Sequence, residues 1–393
     1  MCTDWWREKV LSSIPHRATL PGTWGAMSKI VPFHSVVIFG GAGFIGSNWA
    51  SRLLKTTEVR VHIFDNLSRR GVEHNVTWLR RVAGDSDRLQ ITVGDVRDAT
   101  MVYRAVQPAT EVYNFAAQVA VTTSIDDPRE DFEINVGGTL NILEAARKSG
   151  RKPFLLFTST NKVYGHLGSR NLTITPTRYR CADQRGVSES QPLDFYSPYG
   201  CSKGAADQYV HDYSRIFGLP TVVFRMSCIA GSRQFGTEDQ GWVAHFLYSA
   251  LQDQPVTIYG DGRQVRDVLY VEDLLRAFES VRDRVETTGG QVYNVGGGLE
   301  NSTSLLEIIS EIERVTGKKL QYTMDLPRSG DQPFYVTDFS KLHRHTGWQP
   351  KVSVPRILEH MSAWWKANRD LFSSFAPARV PISALQHASE VAS

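Results

Sequence analysis

The feature that most narrows what this chain can fold into is a single glycine-rich run. Gly40-Gly41-Ala42-Gly43-Phe44-Ile45-Gly46 stands directly after the β-branched run 36–39 and directly before the helical pattern 47–56. A strand that turns into a helix through such a run opens a parallel α/β sheet with a phosphate-binding turn. Gly40 permits the tight turn, Gly43 lets the backbone approach a pyrophosphate, and Gly46 lets helix pack close to strand. Phe44 and Ile45 complete the run that opens the helix, whose unpaired N–H groups and positive dipole end attract the anion. Asp65 follows about 20 residues on, at the end of the second strand, as a dinucleotide fingerprint requires. With Asn66 beside it, its carboxylate is placed to accept hydrogen bonds from the ribose hydroxyls and to repel a 2′-phosphate, which favours NAD over NADP. Arg69 and Arg70, just beyond, are the opposing signal, because guanidinium groups in that loop are able to cradle a 2′-phosphate. Asp95 and Val96, after the third strand, are placed to meet the adenine edge; the other reading of Asp95 is a turn-capping residue. A glycine turn without any ligand is the bland alternative to the whole set.

Strand-forming runs at 36–39, 60–64, 89–93, 111–114, 153–158 and 221–225 alternate with helical patterns such as 132–149 and 198–217, the signature of repeated βαβ units. Several runs are apolar throughout rather than alternating, as strands covered on both faces require. The expected fold class is therefore α/β, a doubly wound parallel sheet of Rossmann type with a smaller C-terminal α/β lobe. The expected division is an N-terminal extension at 1–34 and a dinucleotide-binding domain at 35–225. A substrate-binding lobe at 226–367, some segments of which return to the first domain, and a tail at 368–393 complete it.

Composition removes several classes. With 393 residues, 41% of them hydrophobic, the chain is long enough for a large core. Lys and Arg total 44 against 41 for Asp and Glu, and the signs are interspersed, so neither a nucleic-acid tail nor a polybasic membrane anchor is expected. No apolar run reaches the roughly 18 to 20 residues that cross a bilayer. Residues 1–30 lack the apolar stretch and cleavage site of a secretory signal, so the expectation is a cytoplasmic protein. Cys2, Cys181, Cys201 and Cys228 form no C-x-x-C pair, and His343 and His345 stand two apart; no disulfide framework and no metal are expected.

Tyr199 and Lys203, in Tyr199-Gly200-Cys201-Ser202-Lys203, lie four residues apart at the start of a helix and so project from one face. A free phenol has a pKa of about 10, and bringing it near 7 takes about 4 kcal/mol of phenolate stabilisation. Lys203 and an oxidised nicotinamide ring are able to share that task, leaving Tyr199 to move a hydroxyl proton. Taken alone, the pair is more often an ordinary surface Tyr over a Lys. Behind a dinucleotide fingerprint and a strand ending in Thr158-Ser159-Thr160, catalysis becomes the better reading.

These residues resemble the extended short-chain dehydrogenase/reductase superfamily, the nucleotide-sugar epimerases and dehydratases, over 35–367. Asn135-Val136-Gly137-Gly138-Thr139, Val163-Tyr164-Gly165, Arg266-Asp267-Val268 and Gly347-Trp348-Gln349-Pro350 carry the rest of the likeness. The resemblance implies a tightly held, recycled NAD and a nucleotide-sugar substrate. It further implies that Thr160 hydrogen-bonds the reacting sugar oxygen, that Phe115, Ala116, Ala117 and Gln118 border the cofactor, and that Ser124 and Asn161 border the sugar. A homodimer or homotetramer, paired through helices containing 135–146 and 202–217, is implied as well.

The superfamily's 4,6-dehydratases place Asp-Glu directly after the catalytic Thr, because eliminating water needs an acid and a base. Asn161-Lys162 stands there in this chain and cannot serve as a carboxyl pair, which disfavours dehydration. The segments 118–126, 159–165, 197–209, 233–235 and 239–243 are similar to the CDP-paratose 2-epimerases, also called CDP-tyvelose 2-epimerases. That likeness implies oxidation at sugar C2, turning of the 2-keto sugar and reduction from its other face. One departure is Arg225-Met226-Ser227-Cys228 followed by Ala230-Gly231, which lacks the Asn and Tyr that many members carry. Arg233, Arg266 and Arg328 are candidates for the substrate diphosphate, since a guanidinium grips phosphate oxygens bidentately; solvated structural arginines are the alternative. The competing functions are a C4 epimerase of a UDP- or dTDP-hexose and a non-catalytic NAD-sensing protein. Retention of both Tyr199 and Lys203 argues against the second.

Overall fold

The computed structural model describes residues 35–167, 171–181, 186–328 and 330–375. The expected extension 1–34 and residues 376–393 of the expected tail lie outside them.

Seven strands make one sheet: β1 (Ser35–Phe39), β2 (Arg60–Asp65), β3 (Leu89–Val93), β4 (Glu111–Asn114), β5 (Phe154–Thr160), β6 (Thr221–Met226) and β7 (Gln291–Val295). Their order is 3-2-1-4-5-6-7 and every pairing is parallel. The order reverses between β1 and β4, and the crevice at the carboxyl ends of the strands beside such a reversal is where ligands bind in open α/β sheets.

The apolar runs need cover on both faces, and helices supply it. On one side α3 (Ala99–Val106), α4 (Gly138–Lys148) and α5 (Pro198–Phe217) pack Val102, Leu143, Ala146 and Val210 against Val37, Leu155, Phe157 and Val223 of the sheet. On the other, Trp49 of α1 (Phe44–Thr56) meets Tyr113 of β4 at 5.2 Å and Phe278 of α7 (Val271–Arg282) at 5.6 Å, ring centre to ring centre. Helix α2 (Val72–Ala83) packs beside α1. A second core gathers α6 (Trp242–Leu251), α8 (Leu305–Thr316) and α9 (Val354–Ala367). It packs against a three-stranded sheet made by Cys228–Ala230, Val265–Tyr270 and Ser302–Ser304.

Three differences from the sequence expectation have identifiable causes. The strand run expected at 153–158 extends through Ser159 to Thr160, which closes β5. The helix expected at 132–149 is split by a π-turn at Glu133–Gly137. The buried amide of Asn135 there bonds the backbone of Gln118 in both directions, at 3.0 and 3.1 Å, and insertions of this kind cluster at functional positions. The seventh strand, β7, was not among the expected runs; it returns to the main sheet from the segment after residue 226, pairing with β6. Among the described residues no helix is long and apolar enough to cross a membrane, and Cys181, Cys201 and Cys228 are free thiols.

Candidate functional site

A cleft of about 450 Å³ opens at the carboxyl edge of the sheet, walled on one side by the glycine turn, the ends of β4 and β5 and the start of α5, and on the other by segments between Met226 and Asp331. Gly40 has φ +73°, and a Cβ added there would lie 2.7 Å from the backbone nitrogen of Ala116; one added at Gly46 would lie 2.3 Å from the carbonyl oxygen of Gly40. Both glycines are therefore fixed by backbone crossing. Gly43 meets only the Gly40 oxygen, at 3.2 Å, and faces the cleft with Phe44 and Ile45. It caps α1 without a side chain, and the first turn carries no acidic residue. Unpaired N–H groups and the positive helix end thus face open space, a cradle that fits a dinucleotide diphosphate.

The remaining expected cofactor residues divide. The Asp65 carboxylate accepts from the N–H groups of Ala42 and Leu67, both at 2.9 Å, fixing it against the glycine turn. Burial pushes its pKa up, opposed by those N–H groups and by Arg69. Phe115 and Ala117 line the cleft, while Ala116 presses its backbone on Gly40. Asn66 is exposed and accepts from the N–H and hydroxyl of Ser68. Asp95, just beyond β3, is gripped by Arg97 at 2.7 Å, which holds it below the usual carboxylate range, and Val96 is buried against Gly138. Neither pair reaches the central cavity. The Gln118 side chain turns into the protein, donating to Asp131 at 2.9 Å and to the Ala120 carbonyl at 2.8 Å. Arg69 points across the cleft to the Gln240 side chain.

Helix α5 brings the catalytic candidates together. The Ser197 hydroxyl accepts from Gly200 N–H at 3.0 Å and Pro198 occupies the first helical position, a start that both residues favour. Tyr199 then falls in the first turn, its side chain lining the same cleft as Thr160. Lys203 follows on the same face, its Nζ 4.1 Å from the centre of the Phe157 ring. Burial pushes the Tyr199 phenol up to about 12, the Thr160 hydrogen bond and Arg69 pulling the other way. It pushes the Lys203 ammonium down to about 7, against Asp207 and Asp131. In the chain alone both groups thus lean toward their neutral forms, so the phenolate expected from the sequence needs a further positive charge in the cleft.

Two substrate candidates need correction. The Ser124 side chain is fully buried; its hydroxyl donates to the Val121 carbonyl at 2.7 Å and accepts from Tyr199 N–H at 3.1 Å, so it anchors the phenol's backbone and does not face the cleft. Arg233 lies outside the cleft: its guanidinium stacks 3.8 Å from the centre of the Trp78 ring, in a separate cavity shared with Lys55 and Trp364. Asn161, Arg266 and Arg328 do line the cleft. The Asn161 Oδ1 lies 3.5 Å from the Thr160 hydroxyl, Arg266 pairs with Asp331 at 2.6 Å, and Arg328 stacks 3.9 Å from the Tyr259 ring centre. Lys162, Asp331 and Trp242 also line it and were not among the expected site residues. Lys162 stood inside a quoted motif, where it counted only as the absence of a carboxylate; no local signal marks Asp331. Among the described residues no group of His, Cys, Asp and Glu gathers so as to hold a metal ion.

The GDP-mannose 4,6-dehydratase family matches residues 37–361. The chain belongs to that family, among the extended short-chain dehydrogenases/reductases. It is 44% identical to a CDP-paratose 2-epimerase of Salmonella typhi over 337 residues, 84% of this chain and 98% of that protein. The UDP-glucose 4-epimerase of Thermus thermophilus, solved in complex with NAD, superposes with a TM-score of 0.71 at 32% identity, covering 84% of this chain and 99% of the other. The UDP-glucuronic acid 4-epimerase of Bacillus cereus, solved with UDP-glucuronic acid and NAD, gives 0.74 at 28% identity, with 85% and 99% covered. Within the GDP-mannose 4,6-dehydratase family, this chain is set apart from the dehydratase pattern by the amide and ammonium of Asn161 and Lys162 beside Thr160.

Proposed function

We propose that the chain is an NAD-dependent nucleotide-sugar epimerase that converts CDP-paratose to CDP-tyvelose by inverting C2. The observation that carries this reading is that Tyr199 and Thr160 face one cleft with Asn161 and Lys162, a proton-moving phenol with an amide and an ammonium, not a carboxyl pair, directly after the Thr. The similarity to the Salmonella typhi CDP-paratose 2-epimerase supports the choice of sugar.

Gly40, Gly43, Phe44, Ile45 and Gly46 hold the dinucleotide diphosphate, and Asp65 its ribose. When bound, the oxidised dinucleotide supplies a reversible hydride acceptor and a positive charge over the phenol. Tyr199 takes the proton of the C2 hydroxyl and later returns it; Thr160 donates a hydrogen bond to the same oxygen; Lys203, in its protonated form, favours the phenolate. Arg266 and Arg328 hold the substrate diphosphate. The 2-keto sugar turns in the cleft before reduction, so no net redox change results. The protein acts in the cytoplasm as a homodimer or homotetramer on this reading.

Incubation of the protein with CDP-paratose, followed by NMR of the C2 configuration, tests the proposal: CDP-tyvelose is the expected product. The structural likeness to UDP-glucose 4-epimerase favours a second reading, C4 epimerisation of a UDP- or dTDP-hexose. Turnover of UDP-glucose with CDP-paratose left untouched would establish it in place of the first.

A further inference from the structure

In a nucleotide sugar, C2 is bonded to the anomeric carbon that bears the diphosphate, whereas C4 lies across the ring. An enzyme that oxidises C2 must therefore keep the sugar-linked phosphate beside its proton-moving hydroxyl. One that oxidises C4 keeps the phosphate a ring's width away. A cation held next to Thr160 consequently bears on which carbon is presented.

Lys162 stands two residues after Thr160. It lies in the short turn Asn161–Tyr164 that leaves β5, and its N–H donates to the Thr160 hydroxyl at 3.2 Å. Its side chain lines the cleft with Thr160 and Tyr199. The ammonium donates to the Gly330 carbonyl at 3.2 Å and to Asp331 at 3.4 Å, which leaves one of its three N–H donors for a ligand. Arg266, 8% exposed, pairs with the same Asp331 oxygen at 2.6 Å. Two cations thus share one carboxylate. The other acidic side chains of the cleft, Glu238 and Asp239, answer Arg328 instead. A half-buried cluster with one surplus positive charge is costly until an anion joins it. Burial pushes the Lys162 ammonium down, opposed by Asp331 and reinforced by Arg266, and a bound phosphate would restore its charge.

We infer that Lys162 is a specificity-determining residue: with Arg266 it grips the sugar-linked phosphate next to Thr160, and so presents C2 rather than C4 to Tyr199. The inference rests on the C2-epimerase reading above.

The test compares Lys162→Gln, Lys162→Met and Lys162→Arg with the wild type, all NAD-loaded. It uses calorimetric titration with CDP and with CMP, C2 inversion of CDP-paratose by NMR, and thermal melting as a check on folding. CDP carries the phosphate that links to the sugar and CMP lacks it. The expected result is that Gln or Met weakens CDP on the order of tenfold, leaves CMP unchanged and lowers C2 turnover on the order of 100-fold, with Arg recovering the CDP affinity. Either folded neutral variant decides the point. CDP binding as tight as wild type, or CDP and CMP weakened equally, overturns the inference while wild-type turnover keeps the C2 reading standing. Wild-type protein that leaves C2 of CDP-paratose untouched overturns that reading, and the role of Lys162 with it.

Discussion

The two walls of the cleft are held by different physics. On the glycine-turn side the fixed points are backbone crossings and hydrogen bonds to the backbone: Gly40 against Ala116, Gly46 against Gly40, and the Tyr199 N–H held by the Ser124 hydroxyl. On the facing side the fixed points are ion pairs between distant segments, Arg266 with Asp331 and Arg328 with Glu238 and Asp239. A wall of crossings has no slack, because a backbone atom cannot swing aside, whereas ion pairs between long side chains can re-form around a ligand. The first wall therefore suits chemistry common to a family and the second suits the choice of substrate.

The largest expected effect strikes the rigid wall. Tyr199→Phe removes the proton-moving oxygen and nothing that faces the glycine turn, so C2 turnover should fall on the order of 10³-fold while bound NAD, measured by its release on denaturation, is unchanged. Loss of the dinucleotide along with the activity would mean that the phenol is part of the cradle. Gly46→Val drives side-chain atoms into the Gly40 carbonyl, where even a Cβ would sit at 2.3 Å. A loss of about 3 kcal/mol of stability, with no NAD retained on purification, is expected from calorimetry and absorbance. A variant that melts like the wild type would show that this wall has give after all.

The same contrast explains how far the sequence could be read. The glycine turn and Asp65 belong to one strand-turn-helix-strand unit, and Tyr199 and Lys203 to one helix turn, so all stand where local pattern places them, although distant contacts such as Ser124 with Tyr199 then fix them. Thr160 was legible for the same reason, although the strand that carries it runs further than its apolar residues indicate. Arg233 was misread because its position follows from tertiary packing on Trp78, and an arginine next to a family-like segment says nothing about where its guanidinium points. Ser124 was assigned to the sugar, yet its hydroxyl is used to pin Tyr199. Asp331 stands 65 residues from Arg266 and 169 from Lys162, and nothing short of the fold brings them together.

Burial shifts titration on the rigid wall whether or not chemistry follows, and the far end of β4 supplies the control. Glu111, 1% exposed at the start of that strand, accepts from the Tyr113 hydroxyl at 2.6 Å. Burial raises its pKa to about 7, against that hydrogen bond and Arg282. The folded chain then binds a proton that the unfolded chain releases from its ordinary value of 4.5 upward. Stability is full below that value, falls as pH rises toward about 7, and stays reduced above. The shift corresponds to at most about 3 kcal/mol. Glu111→Gln keeps an acceptor for Tyr113 and cannot ionise, so it should melt above the wild type at pH 8, the advantage shrinking toward pH 5, with C2 turnover unchanged. A melting difference independent of pH would assign the effect to packing instead.

The smallest expected effect lies on the adaptable wall, at Arg328. Its side chain is 26% exposed and faces two carboxylates, each at 3.4 Å, so solvent and counter-charge already screen it; Arg266, at 8% exposed, has only the share of Asp331 that Lys162 leaves. Pairs this open contribute about 1 kcal/mol or less. Arg328→Ala should therefore raise KM for the nucleotide sugar by no more than about tenfold with kcat unchanged, the mark of binding lost equally from ground state and transition state. Raising ionic strength should shrink the difference, because exposed charges are screened within about 10 Å at 0.1 M salt. A fall in kcat instead would place Arg328 on the transition state, and the two walls would no longer divide chemistry from recognition.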